Sequence, residues 1–303
     1  MSRLRIHHAA SRVRPFLLSL MLMLGGEAVC ATVRYPKPPP NDDNARQYHL
    51  RLLTLALQKA GAGDTLQAAS LWMPQARLLA QLQAGRDIDV VWTVTSRERE
   101  KQLLPIRIPI TKGLNGWRFA LVSEQKPDLL RDVRRAADLA ALRAGQGHDW
   151  PDTAILRANR LEVEAVSHYP GLFKMLKLGR IDYFPRAASE VFWEIKDHGH
   201  EGIMLDPHIA IYYPGAMYFF VHRDNVALAQ RIEKGLNLAI ADGSFERLFQ
   251  QQYGETLKRL EIPKRRIIEL ENPDFPAEAA PMHRPELWFR PATRTDRTQL
   301  KPR

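Results

Sequence analysis

Two stretches of this chain repeat one pattern about ninety residues apart: Leu82-Gln-Ala-Gly85-Arg86-Asp-Ile-Asp89-Val-Val and Leu176-Lys-Leu-Gly179-Arg180-Ile-Asp182-Tyr-Phe. Each reads as a helix that stops at Gly-Arg and turns through Asp into a strand. Gly most cheaply adopts the left-handed conformation that closes a helix, and the β-branched or aromatic residues after each Asp favour a buried, pleated strand. A helix, turn and strand that occur twice predict two similar α/β lobes. Two lobes imply a cleft, and a cleft is a place for a small ligand.

The N-terminus points to a compartment. Residues 1–15 carry Arg3, Arg5, Arg12 and Arg14 without an acid, Phe16 to Leu24 is apolar, and Val29-Cys30-Ala31 offers a cleavage site. This is the three-part pattern of a secretory signal peptide over residues 1–31, and it predicts an exported mature chain. An uncleaved anchor is the alternative, but the apolar run is about half of the ~20 residues a spanning helix needs. Lipid modification of Cys30 fits badly with Val29 and Glu27 before it. Cleavage after Ala31 would remove the single cysteine, so stability must come from core burial. The net charge of +10 falls to about +7 once the four leader arginines and Glu27 are taken away. A basic exported chain favours anionic partners such as carboxylate ligands, a phospholipid surface or cell-wall polymer. No basic stripe interleaved with aromatics occurs, which argues against nucleic acid.

The remaining chain divides by pattern. Residues 32–120 form the first part of lobe 1, 121–216 lobe 2, and 217–256 the return to lobe 1. Trp117–Val122 and Ala216–Val221 are apolar strands expected to pair as a hinge. Arg143 to Gly147 reads as a turn, and Asp128 to Leu142 as a helix rich in Ala and Leu. Residues 257–303 form a basic tail broken by Pro273, Pro276, Pro281, Pro285 and Pro291, which cannot build a core of its own. Its Phe275, Leu287, Trp288 and Phe289 suggest that part of it packs along a lobe, with disorder expected past about Pro291.

The order of these elements from Thr32 to Tyr253 resembles the family 3 extracellular solute-binding proteins of bacteria. The motifs that carry the likeness are the two Gly-Arg elements, Ser96-Arg97-Glu98-Arg99, Pro105 to Ile110, Gly145-Gln-Gly147-His148, and the closing Asp242-Gly-Ser-Phe to Tyr253. No single motif is specific; their order is. The resemblance implies an α/β, two-lobed type II periplasmic binding protein fold with two hinge-crossing strands. It further implies a monomer that captures a small solute and hands it to an inner-membrane permease of the ABC transporter type, or to a sensor.

In that family an Arg after the first strand clamps the ligand α-carboxylate, and Arg99 occupies that place here. Arg suits the task because its planar fork makes two parallel bonds to a carboxylate; the alternative is a solvated helix start. The family also places an acid in the second lobe to hold the ligand's ammonium, but this chain has Tyr183-Phe184-Pro185-Arg186 and no acid before Glu190. Facing Arg99 across a cleft, Arg186 would select an anion; otherwise it pairs with Glu190 one helical turn on. Trp92, Thr93, Thr95 and Tyr35 sit where the family lines its cleft, and only one of Tyr183 and Phe184 can face it. The expected ligand is anionic or zwitterionic, amino-acid-like or a carboxylate. A ligand-independent periplasmic interaction or signalling protein on the same fold is the second reading.

Catalysis is not expected. No Gly-x-Ser-x-Gly elbow or mature cysteine occurs, and nothing singles out Glu162, Glu164 or Glu190. No cofactor is called for. His198-Gly-His200-Glu201 with Asp206 and His208 are residue types that bind zinc or copper, but His-x-His in a loop is not a recurrent site spacing, and the expectation is a polar, Gly-rich surface turn between a helix and a strand.

Overall fold

The computed structural model describes residues 31–37, 45–61, 63–148 and 150–291, the side chains of 45–47 excepted. The expected leader, apart from Ala31, and the chain past Pro291 lie outside the described residues. The first lobe opens with β1 (Thr32–Tyr35), α1 (Ala45–Ala60), β2 (Thr65–Ala68), α2 (Gln75–Gln83), β3 (Val90–Val94), α3 (Arg97–Gln102) and β4 (Leu104–Ile106). The second contains β5 (Trp117–Ser123), α4 (Ala136–Leu139), β6 (Arg143–Gly147), α5 (Pro151–Ala158), β7 (Glu162–Val166) and α6 (Tyr169–Lys177). It continues with β8 (Phe184–Ala187), α7 (Val191–His198), β9 (Ile203–Leu205) and β10 (Ile209–Tyr212). The chain returns through β11 (Met217–Val221), α8 (Val226–Ala241) and α9 (Ser244–Leu260), and β12 (Arg266–Glu269) follows.

In the first lobe β11 lies antiparallel between β3 and β4, and β1 runs parallel to β2. In the second the order is β12, β10, β5, β8, with β9 also on β5 and β6 parallel to β7. Long apolar side chains fill both lobes: Leu52, Leu53, Phe219 and Phe220 in one, Phe119, Phe173 and Phe184 in the other, all fully buried.

The repeated Gly-Arg elements end their helices identically. Gly85 and Gly179 both have φ of 65°. Arg86 N–H bonds Gln81 O and Gly85 N–H bonds Leu82 O; Arg180 N–H bonds Met175 O and Gly179 N–H bonds Leu176 O. This double closure satisfies carbonyls the helix leaves orphaned. The extra residue of the first copy, Asp87, is itself left-handed at φ 51°. The Asp that follows then fastens another strand of its lobe. Asp89 accepts from Arg34 N–H at 2.8 Å and donates its own N–H to Arg34 O at 2.9 Å. Asp182 does the same to Arg143, at 2.9 and 2.8 Å. The motif thus pins β1 in one lobe and β6 in the other.

Several expectations change. Arg143 to Gly147 is a buried strand, because its glycines admit bulky neighbours: a Cβ on Gly145 would overlap Ile181, and one on Gly147 would lie 2.5 Å from the Trp150 ring. The helix expected over Asp128–Leu142 shrinks to α4, since the Asp138 carboxylate accepts the N–H groups of Arg134 and Arg135 and starts the helix there. β5 and β11 do not pair with each other; each joins its own lobe's sheet. The two crossings just before them are what lie side by side. Gly116 O accepts Tyr213 N–H at 3.1 Å, and a Cβ on Gly116 would overlap the Tyr213 carbonyl oxygen. Gly116→Ala should therefore cost about 1–3 kcal/mol, as overpacking against backbone does, read as a lowered urea midpoint.

Candidate ligand-binding cleft

Two connected cavities of about 490 and 300 Å³ lie between the lobes and share Gln75, Thr93, Val94, Asn115, Arg118 and Met217. The larger is mainly apolar on its first-lobe side, where Trp72, Met73, Leu78, Leu79 and Trp92 line it. Trp72 is half-exposed, and Trp92 stacks on His49 with ring centres 5.7 Å apart. The second lobe contributes Ala187, Ser189 and Glu190. The smaller chamber carries charged groups on a mostly apolar lining: Thr95, Ser96 and Arg99 face Pro151 and Asp152 at the start of α5, with Asn272, Pro273 and Asp274 alongside.

Arg99 is placed by its own helix start. Ser96 caps α3, its hydroxyl accepting Arg99 N–H at 3.2 Å, so the side chain turns back under the end of β3. The guanidinium donates to Val94 O and, at 3.0 Å, to Gln75 Oε1. Among the described residues no carboxylate lies within ion-pair distance of it. Burial pushes the guanidinium below its usual pKa, partly offset by the charge of Asp274. A half-buried Arg with no counterion suits an incoming carboxylate.

Arg118 and Asp152 form the base of the cleft. Arg118 Nε donates to Asp152 Oδ1 at 2.5 Å, its Nη1 donates to Asn115 O at 2.6 Å, and the Tyr213 hydroxyl donates to the same Asp152 oxygen. The guanidinium also sits 5.2 Å from the Tyr213 ring centre. Burial opposes both charges; the pair's mutual attraction wins, holding Arg118 above and Asp152 below their ordinary values.

Among the described residues three cations, Lys37, Arg99 and Arg118, and three carboxylates, Asp152, Glu190 and Asp274, line the two chambers. These charges are equal in number, with Arg99, which has no ion-pair partner among the described residues, in the smaller chamber and the Trp72 to Trp92 surface in the larger.

No protein-family model matches the sequence, and no curated protein matches it. Solved structures do. An ancestral arginine-binding protein bound to glutamine is 18% identical, with a TM-score of 0.54 over 74% of this chain and 98% of that one. A histidine kinase sensor domain with similarity to periplasmic binding proteins is 15% identical, with a TM-score of 0.52 over 75% and 96%. A periplasmic His/Glu/Gln/Arg/opine family-binding protein from Silicibacter pomeroyi, in complex with lysine, is 9% identical, with a TM-score of 0.52 over 75% and 97%. The fold is that of the two-lobed periplasmic binding proteins.

Within this periplasmic-binding fold the residues singled out by sequence separate into two groups. Arg99, Trp92, Thr93 and Thr95 line the cleft. Thr93 is 2% exposed and its hydroxyl has no hydrogen-bond partner among the described residues, while Thr95 donates to Glu100 Oε1 at 2.6 Å. Tyr35, Tyr183 and Arg186 do not line either chamber. Tyr35 packs against the first-lobe core, and Tyr183 and Phe184 are both fully buried in the second lobe.

Arg186 does not face Arg99. It turns inward, 2.7 Å from Glu194 Oε1 and 3.0 Å from Glu190 Oε2, with the rings of Trp150, Phe184 and Tyr169 around it. A buried guanidinium needs its charge matched, and Glu190, just before α7, and Glu194 within it supply two carboxylates to match it. Glu190 is thereby held at the cleft wall, and its position beside the cavity returns an acid to the second lobe.

Sequence reading missed Arg118, Asp152, Gln75 and Asn272 to Asp274. Only Arg118 carried a local signal, being the one charge inside the apolar run Trp117 to Val122. Among the described residues no cluster of three His, Cys, Asp or Glu side chains is placed to hold a metal. His198 instead bonds Glu201 at 2.8 Å and stacks on Phe173.

Proposed function

We propose that this chain is an exported solute-binding protein of the periplasm that captures a small zwitterionic, amino-acid-like solute between its lobes for uptake through a permease or for sensing. The observation that carries the reading is Arg99: a half-buried guanidinium in the cleft whose side chain bonds, among the described residues, only a backbone carbonyl and a side-chain amide. The solute's carboxylate would displace those weaker contacts, its ammonium would lie toward Glu190, and its side chain toward Trp72, Met73 and Trp92. The equal number of cations and carboxylates around the chambers disfavours a dianion, which would arrive with a charge the walls do not match. Binding would select the closed arrangement of lobes, because only there do both walls touch the solute.

The test is a thermal-shift panel of the proteinogenic amino acids, opines and small mono- and dicarboxylates. A saturating zwitterion at about a hundred times its Kd should raise stability by about 2.7 kcal/mol. Dicarboxylates shifting the protein while amino acids do not would overturn the zwitterion assignment; silence across the panel would overturn solute binding.

An enzyme on this fold would need a nucleophile or a carboxyl of raised pKa in the cleft. The buried carboxyls that burial raises, Glu194 and Asp206, line neither chamber. The second reading is a ligand-independent interaction or signalling protein. The segment after α9 favours it, since this chain adds bulk around the cleft, and so does the likeness to a kinase sensor domain. Silence across the solute panel together with a membrane protein cross-linked from the cell envelope would establish it.

A further inference from the structure

The chain beyond Tyr253, where the sequence resemblance ends, does not trail from one lobe. After α9 it adds β12 parallel to β10 in the second lobe. Glu271 then exchanges two hydrogen bonds with Asn159 at the end of α5, at 2.9 and 2.8 Å. Asn272 donates to Pro214 O at the crossing, at 2.8 Å. Two residues on, the backbone reaches the first lobe: Arg97 N–H bonds Asp274 O at 3.1 Å, and the Arg97 side chain holds Glu278. Phe275, Leu287 and Trp288 are buried, and Arg284 bonds Asn237 of α8 at 2.9 Å. Trp288 presses on the first crossing, where a Cβ on Gly113 would lie 2.7 Å from its ring, and Phe289 N–H bonds Lys112 O at 2.7 Å.

One covalent segment is therefore fastened to the second lobe, to both crossings and to the first lobe. Between its outermost anchors, Asn272 to Asp274 form a wall of the Arg99 chamber. We propose that residues 271–289 are an intramolecular strap that supplies a third wall of the solute site and sets how far the lobes open. A two-lobed receptor without such a strap opens about its crossings alone. Here opening must also stretch six residues, Leu270 to Phe275, that run directly from one lobe to the other. The strap thus makes entry to Arg99 depend on a segment outside both lobes. This inference rests on the solute-binding reading for what enters the chamber, but its test needs no solute.

Spin labels at Gln58→Cys on α1 and Lys177→Cys on α6, both exposed, with Cys30→Ser, report the distance between lobes. Phenylglyoxal followed by peptide mass spectrometry reports access to Arg99. Two changes loosen the strap: a nine-residue Gly-Ser insertion between Glu271 and Asn272, and Arg97→Ala with Asn159→Ala, each checked by circular dichroism for retained fold. The expected result is a broadened, longer distance distribution and Arg99 modification at least threefold faster than in the parent, with exposed Arg134 unchanged. Either readout staying at the parent value in both variants overturns the proposal. Silence of the solute panel would leave these readouts intact, so the two ideas fail separately.

Discussion

Arg99→Ala should lose about 2 kcal/mol or more of solute affinity, roughly a thirtyfold rise in Kd, while leaving the unfolding midpoint near that of the parent. The two halves of this expectation have different causes. Affinity falls because a carboxylate in the small chamber would lose its charged, two-pronged donor, and Lys at the same position could not restore it, being a point charge without the fork. Arg99→Lys should therefore recover only part of the loss. Stability is spared because the guanidinium now bonds only Val94 O and Gln75 Oε1, both at the wall of a cavity that water can enter. Calorimetric titration with whichever amino acid shifts the parent most gives the measurement. Unchanged affinity in the Ala variant would remove Arg99 from the site and, with it, the main support for a carboxylate-bearing solute.

What could be read in advance was what is local. The caps at Gly85 and Gly179 follow from the conformational freedom of one residue type, and the strand after each follows from β-branched and aromatic side chains. The Gly-rich run Arg143 to Gly147 looked like a turn for the same local reason, but its glycines answer to Ile181 and Trp150, which pack against it through the tertiary fold. β9 and β10 are three and four residues long and pair with β5, some eighty to ninety residues earlier, so nothing in their own sequence marks them. Arg186 shows how a correct rule can be misplaced. A charge in an apolar strand must find a partner; the expectation that Arg186 faces a ligand fails, the alternative that it pairs with Glu190 four residues on holds, and Glu194, eight residues on, adds a carboxylate that was not expected. The same rule applied to Arg118 would have predicted a buried carboxylate partner, though not that Asp152 would be the one.

Arg118→Met should be the most destabilising of these substitutions, by about 3–5 kcal/mol at neutral pH, because it leaves the Asp152 carboxylate buried without its cation. In the parent, burial raises the Asp152 pKa but the charge and hydrogen bond of Arg118 more than offset it, so the folded value lies below the unfolded value of about 3.9. A depressed carboxyl contributes stability that is present above the unfolded pKa and is lost as pH falls through the folded one. In the variant burial is opposed only by the Tyr213 hydroxyl and the weaker charge effect of Arg186, and the pKa moves above the unfolded value. The folded state then binds the proton more tightly than the unfolded chain, and stability falls as pH rises above about 4. The contribution of this one group thus changes sign: acidification from pH 7 to 5 should recover part of the deficit in Arg118→Met but none in the parent. Asp152→Asn added to Arg118→Met removes the orphaned charge and should restore stability at pH 7 beyond the single variant, with the pH dependence of the deficit gone. Urea unfolding of the three proteins at pH 5 and 7 measures this. A deficit in Arg118→Met that does not shrink at pH 5 would mean that the guanidinium stabilises the base of the cleft through the Tyr213 ring and Asn115 carbonyl rather than through Asp152.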